Sequence, residues 1–71
     1  MAPLRDEIGT TAGKVYQHLA AKGEASLSQL QKGIGGASAS LVAMAVGWLA
    51  REDKIEERQA GKTARLRLTG R

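Results

Sequence analysis

The 71-residue sequence contains no cysteine and no phenylalanine, and only one proline, one histidine, one tryptophan and one tyrosine. Without cysteine, neither a disulfide framework nor a thiolate metal site can form. The lone histidine, His18, cannot build a zinc site by itself. Acids are missing after Glu57, and charge of either sign is missing from Gly33 to Ala50. That uncharged run of 18 residues has the length of a membrane span. Glycines and serines fall within it, however, and Gly35-Gly36 breaks it, so no membrane association is expected. The early Arg5 is not followed by the apolar segment of a signal peptide. The expectation is a soluble cytoplasmic chain.

Catalytic constellations are equally scarce. The candidate acid or base groups are His18, Tyr16, Asp6, Asp53 and scattered glutamates, with no Ser-His-Asp order among them. "GIGG", Gly33 to Gly36, lacks the preceding strand and the following Lys-Ser/Thr of a phosphate loop, so it reads as a turn. His18 reads as an exposed helix residue, and Asp53 and Lys54 as solvated turn residues. A non-enzyme is expected, with no catalytic residue, cofactor, metal site or small-molecule substrate.

What is present suits one small domain. A chain of this size buries roughly 60% of the surface its unfolded form exposes. The net charge of +4 is unevenly spread. Residues 1–57 hold six bases and all seven acids, a net of −1. Residues 58–71 hold Arg58, Lys62, Arg65, Arg67 and Arg71 without an acid, a net of +5. A basic end of this kind suits a polyanion, or serves as a solubilising tail.

Hydrophobic spacing supplies the elements. After a loose or partly helical lead-in over 1–7, Thr10 or Thr11 can cap a helix running to about Lys22. Ile8, Ala12, Val15 and Leu19 form its apolar stripe, and Gly23 ends it. Ala25 to Leu27 is long enough only for a strand stub, a candidate third strand at the sheet edge. Ser28 with Gln31 fits a capping box for a short second helix anchored by Leu27, Leu30 and Ile34. Gly35-Gly36 then permits a tight turn, and Ser38 or Ser40 can cap a third helix reaching Arg51 or Glu52. Beyond it the period changes to two. Lys54–Arg58 and Thr63–Leu68 read as a hairpin about "QAGK", with Leu66 and Leu68 on one face and Arg65 and Arg67 on the other. The expected fold is α+β: three helices, a short first strand and a C-terminal β-hairpin wing over 8–68, then a tail over 69–71.

This order resembles a winged helix-turn-helix domain. "IGTTAGKVYQHLAAKGEASLSQLQK" and especially "LVAMAVGWLAREDKIE" are similar to a family of small stand-alone winged-helix proteins of bacteria and archaea without an assigned function. "GIGGASAS" departs from that pattern, where relatives carry more acids before the third helix. The resemblance implies the fold and a general expectation of DNA binding, with the outer arc of the third helix entering the major groove and the wing lying along the phosphate backbone.

That outer arc is unusual for such a task. At 100° per residue, Leu41, Val42, Ala45, Val46 and Leu49 form the core side of the third helix. The opposite arc holds Ser40, Ala43, Met44, Gly47, Ala50 and Arg51, with Trp48 on its flank. Base reading calls for Arg, Lys, Asn or Gln, each bidentate pair worth roughly 1–3 kcal/mol of discrimination. Only Ser40 and Arg51 offer polar contacts. A helix apolar nearly all round is normally covered on both sides. Ala43, Met44, Gly47 and Trp48 are therefore candidates for a homodimer contact. Trp48 has two other readings, as the core's aromatic or as a stacking platform for nucleic acid.

Arg58, Lys62, Arg65 and Arg67 form the candidate backbone-binding set on the wing, with Ser40 and Arg51 as helix contributions. In one of the possible registers Glu57 pairs with an arginine across the strands and neutralises part of the patch. Two functions follow. One is weakly sequence-specific binding of double-stranded DNA by a small transcription regulator or accessory factor. The other is a protein-interaction or dimerisation module that does not touch nucleic acid.

Overall fold

The computed structural model describes residues 3–70, with Ala60 described by its backbone alone. Met1, Ala2 and Arg71, the ends of the expected lead-in and tail, lie outside the described residues. The elements run α1 (Leu4–Lys22), β1 (Glu24–Ala25), α2 (Leu27–Gly33), α3 (Ala39–Arg51), β2 (Ile55–Ala60) and β3 (Thr63–Leu68). The three strands form an antiparallel sheet in the order β1-β3-β2. The α+β winged arrangement expected from the sequence is the one observed.

Helix α1 starts six residues before the expected cap. Pro3 is its N-cap, and the Pro3 carbonyl accepts from the backbone N–H groups of Asp6 (3.0 Å) and Glu7 (3.2 Å). Those two acids in the first turn complement the helix dipole. Thr10 and Thr11 therefore sit inside the helix, and Thr11 is buried with Ala12, Val15 and Leu19. The helix stops at Gly23, whose φ of 89° few other residues tolerate and whose N–H donates to the Leu19 carbonyl at 2.8 Å.

Helix α2 is capped two residues earlier than the sequence suggested. The Ser26 Oγ accepts from the Gln29 N–H (3.2 Å), and the Gln29 Oε1 accepts from the Ser26 N–H (2.9 Å). Ser28 and Gln31 have the same spacing but lie within the helix. The earlier box wins because Ala25 is already the buried end of β1, and Leu30 must then point inward, where it is fully buried. Gln31 is left to donate its Nε2 to the Ala39 carbonyl at 3.1 Å, tying α2 to the first turn of α3.

Ser38 caps α3, its Oγ accepting from the Leu41 N–H at 3.1 Å. Ser40, the other candidate cap, lies exposed in the first turn. Val42, Ala45 and Leu49 are buried, with Val46 packed against the core. Asp53 turns the chain into the sheet at φ 60°. Strand β2 then extends to Ala60, so the hairpin turn is the pair Gly61-Lys62 rather than the four residues of "QAGK". Gly61 takes φ 63°, as a tight hairpin turn requires. At the hairpin's base the Thr69 N–H donates to the Lys54 carbonyl (3.0 Å), and its Oγ1 donates to the Asp53 carbonyl (2.9 Å).

Val15, Leu19, Leu30 and Val42 are the largest fully buried side chains. Leu66 and Leu68 close the core from the inner sheet face. A Leu30→Ala substitution at its centre costs about 2–5 kcal/mol. The core contains no aromatic side chain: Trp48 is 39% exposed and Tyr16 43%.

Candidate nucleic-acid interface

The hairpin register decides which wing side chains meet. Arg58 lies opposite Arg65, and Glu56 opposite Arg67. Glu24 of β1 pairs with Arg67 on the other side of β3. Strand alternation therefore gathers Arg58, Arg65, Arg67, Glu24 and Glu56 on the sheet face that points away from Leu66 and Leu68.

The ion pairs on that face are unequal. The Arg67 Nε donates to the Glu56 Oε1 at 2.8 Å. Glu24 is shared: its Oε2 lies 3.7 Å from the Arg58 Nη1, and its Oε1 lies 3.9 Å from the Arg65 Nε. Like charges directly opposite on a sheet repel. Arg58 and Arg65 are such a pair, held by one carboxylate at ion-pair distance rather than by a hydrogen bond. Lys62 stands exposed at the turn. With three arginines and Lys62 against Glu24 and Glu56, the wing face keeps a net charge of +2.

Glu57 does not fill the role expected of it. It lies opposite Leu66, and Glu56 is the acid that meets an arginine. Either turn length leaves Glu57 out of step with the arginines: a four-residue turn would set Glu56 opposite Arg65, and the observed two-residue turn sets it opposite Arg67. Glu24 went unnoticed in the sequence because it lies far from the wing along the chain. Period two offered a clue, since a strand stub that buries Ala25 must turn Glu24 to the opposite face.

Helix α3 presents its outer arc as the wheel suggested. Ser40, Ala43, Met44, Gly47, Ala50 and Arg51 are all exposed. Met44 is 40% exposed, and no other described residue covers this strip. Trp48 borders a shallow recess with Arg5, Asp6, Gly9 and Thr10 of α1, which leaves its indole half covered rather than in the core. Ser40 and Arg51 sit at opposite ends of the helix, separated by a strip without charge. The wing residues thus form one cluster, and the α3 residues form a separate apolar surface.

A family model described as a winged helix-turn-helix domain (DUF2582) matches residues 4–68. The chain belongs to this family. The matched segment begins at the first residue of α1 and ends at the last of β3, so it covers every element of the fold. The chain is also 53% identical over 57 residues to an uncharacterized protein, MJ1608, of Methanocaldococcus jannaschii, a match spanning 78% of this chain and 80% of that protein. Winged helix-turn-helix membership is compatible with DNA binding, although fold by itself assigns no ligand. Domains of this kind are typically not enzymes. Among the described residues, no helix is long and apolar enough to cross a membrane.

Proposed function

We propose that this protein binds double-stranded DNA with weak sequence specificity, chiefly through phosphate contacts from its wing, as a small cytoplasmic transcription regulator or accessory factor. Arg58, Lys62, Arg65 and Arg67 make the main contacts, and Ser40 and Arg51 add contacts from the two ends of α3. The observation that carries this reading is the Arg58–Arg65 pair, two cations face to face that share the single carboxylate of Glu24. A phosphate approaching this face relieves their repulsion and meets donors suited to it. If three of these four wing cations touch phosphates, the salt slope is about −2.7, and a two-fold pair of subunits doubles it to about −5.4. Titration of a random-sequence duplex at low and high salt tests this. Binding should be salt-sensitive and should weaken in Arg65→Ala/Arg67→Ala; salt-insensitive binding, or none at low salt, contradicts it.

The α3 strip supports a companion reading, that the protein is a homodimer joined by Ala43, Met44, Gly47 and Trp48. Because no charge occurs between Ser40 and Ala50, a two-fold copy can approach without like-charge contact, and the small residues let two helices come close. A standard interface takes about 800 Å² from each partner. That is a large share of a 4735 Å² surface, so the contact would extend from the strip toward the exposed Leu4. Sedimentation tests it: a mass halved by Met44→Asp supports the dimer, and a wild-type monomer at high concentration removes it. A dimer that ignores duplex DNA at low salt would make this a protein-interaction module instead.

A further inference from the structure

A recess of about 460 Å³ opens where the C-terminal ends of α1 and α2 meet β1 and β3. Its volume lies in the range of small-ligand sites, about 300–1,000 Å³. His18, Lys22, Glu24, Gln29, Lys32 and Arg65 line it. It is remote from Trp48, which borders the opposite end of α1: Asp6 and Lys22 are about 24 Å apart at 1.5 Å per residue.

Its chemistry is one-sided. Lys22, Lys32 and Arg65 reach it from three different elements, against the single carboxylate of Glu24. Neither lysine makes an ion pair among the described residues. Both oxygens of Glu24 already face arginines. The Oε1 of Gln29 is taken by the Ser26 N–H, so what Gln29 retains for a ligand is chiefly its NH₂, a donor. His18 forms part of the wall, its ring lying over Gly33. A Cβ at position 33 would come within 2.8 Å of the His18 Cε1, so the glycine is what admits the imidazole there. The recess therefore holds unspent hydrogen-bond donors and a net charge of +2, with almost no acceptor free.

We infer that this recess binds a phosphate-bearing anion, with Lys22, Lys32 and Arg65 supplying the charge and Gln29 and His18 donating hydrogen bonds. This does not rest on DNA binding by the outer wing face, although Arg65 lies where the two surfaces meet. The test is a titration of the ¹⁵N-labelled chain with inorganic pyrophosphate at constant, low ionic strength. Saturable amide shifts are expected at Lys22, Gln29 and Lys32. Affinity should fall at least about tenfold in Lys22→Gln/Lys32→Gln, the loss of two charge-assisted contacts. Both positions are exposed, and an unchanged circular dichroism spectrum and melting midpoint would establish that the variant is folded. Non-saturating shifts of equal size at Arg5, Lys14 and Lys54, or an unchanged affinity in the double variant, would overturn the site and leave the lysines serving only the ends of their helices. Repeating the titration with duplex DNA present identifies the source of the phosphate. Undiminished pyrophosphate binding supports a free phosphorylated small molecule, and displacement by the duplex supports a backbone phosphate in the same recess.

Discussion

The outer arc of α3 and the outer face of the wing are both open to solvent, and their chemistry is opposite. Between Ser40 and Arg51 the arc carries no charge, while the wing face carries three arginines, Lys62 and two glutamates. In a winged domain that reads bases, the helix supplies hydrogen-bonding side chains and the wing supplies supporting charge. Here only the supporting half is well developed. The DNA binding proposed above would then combine affinity with little base reading, and leave the apolar strip for the proposed dimer contact.

The comparison can be broken first from inside α3. Val42→Asp puts an unpaired charge at a fully buried position and should cost more than about 4 kcal/mol, enough to unfold a domain this small. Met44→Asp, two residues along on the open arc, should change stability by no more than about 0.5 kcal/mol while splitting the dimer. Urea unfolding separates the two, and equal losses would mean that the arc is not a free surface. Next comes the wing. Arg65→Ala/Arg67→Ala should make the slope of log K against log salt shallower by about 1.8 per bound subunit, with the melting midpoint little changed. An unaltered slope would move the phosphate contacts elsewhere. Glu24→Gln is gentler: it releases Arg58 and Arg65 from their shared partner and should tighten duplex binding roughly threefold at low salt, within the worth of an exposed ion pair. The smallest effect should come from changing the DNA. Scrambling the duplex sequence should alter affinity by less than about 1 kcal/mol, since Arg51, at the very end of the helix, is the arc's single side chain of the bidentate base-reading kind. A larger preference would mean that Ser40, Arg51 or the shape of the DNA is read.

Much of the fold was legible because the hydrophobic period changes from helical to alternating near Lys54, and because Gly23 and Gly61 mark turns that need positive φ. The errors were local choices between equivalent signals. Ser26-Gln29 and Ser28-Gln31 are both capping boxes by spacing, and only the burial of Ala25 and Leu30 selects the first. Two good threonine caps hid the start of α1, which depends instead on the Pro3 carbonyl and the acids after it. The partition of α3 into a core side and an open arc was readable because 3.6-residue periodicity fixes it, except that Leu41, expected in the core, is only half-buried at its edge. The acid that meets an arginine was missed although alternation encodes it: the expected and the observed turn lengths differ by two residues, and both leave Glu56, not Glu57, opposite an arginine. Glu24 was out of reach for a different reason. The β1–β3 pairing joins residues about forty positions apart, and no local pattern encodes it. The same long-range pairing brings Lys22 and Lys32 beside Arg65, so the recess they share appears only in three dimensions.

The division between a charged wing and an uncharged reading helix is tested most directly by mapping amide and indole shifts as a random-sequence duplex is added at low salt. Shifts should centre on 58–67, with lesser ones at Ser40 and Arg51, while Ala43, Met44, Gly47 and the Trp48 indole stay unperturbed. Shifts centred on those four residues, with the wing unmoved, would contradict the account.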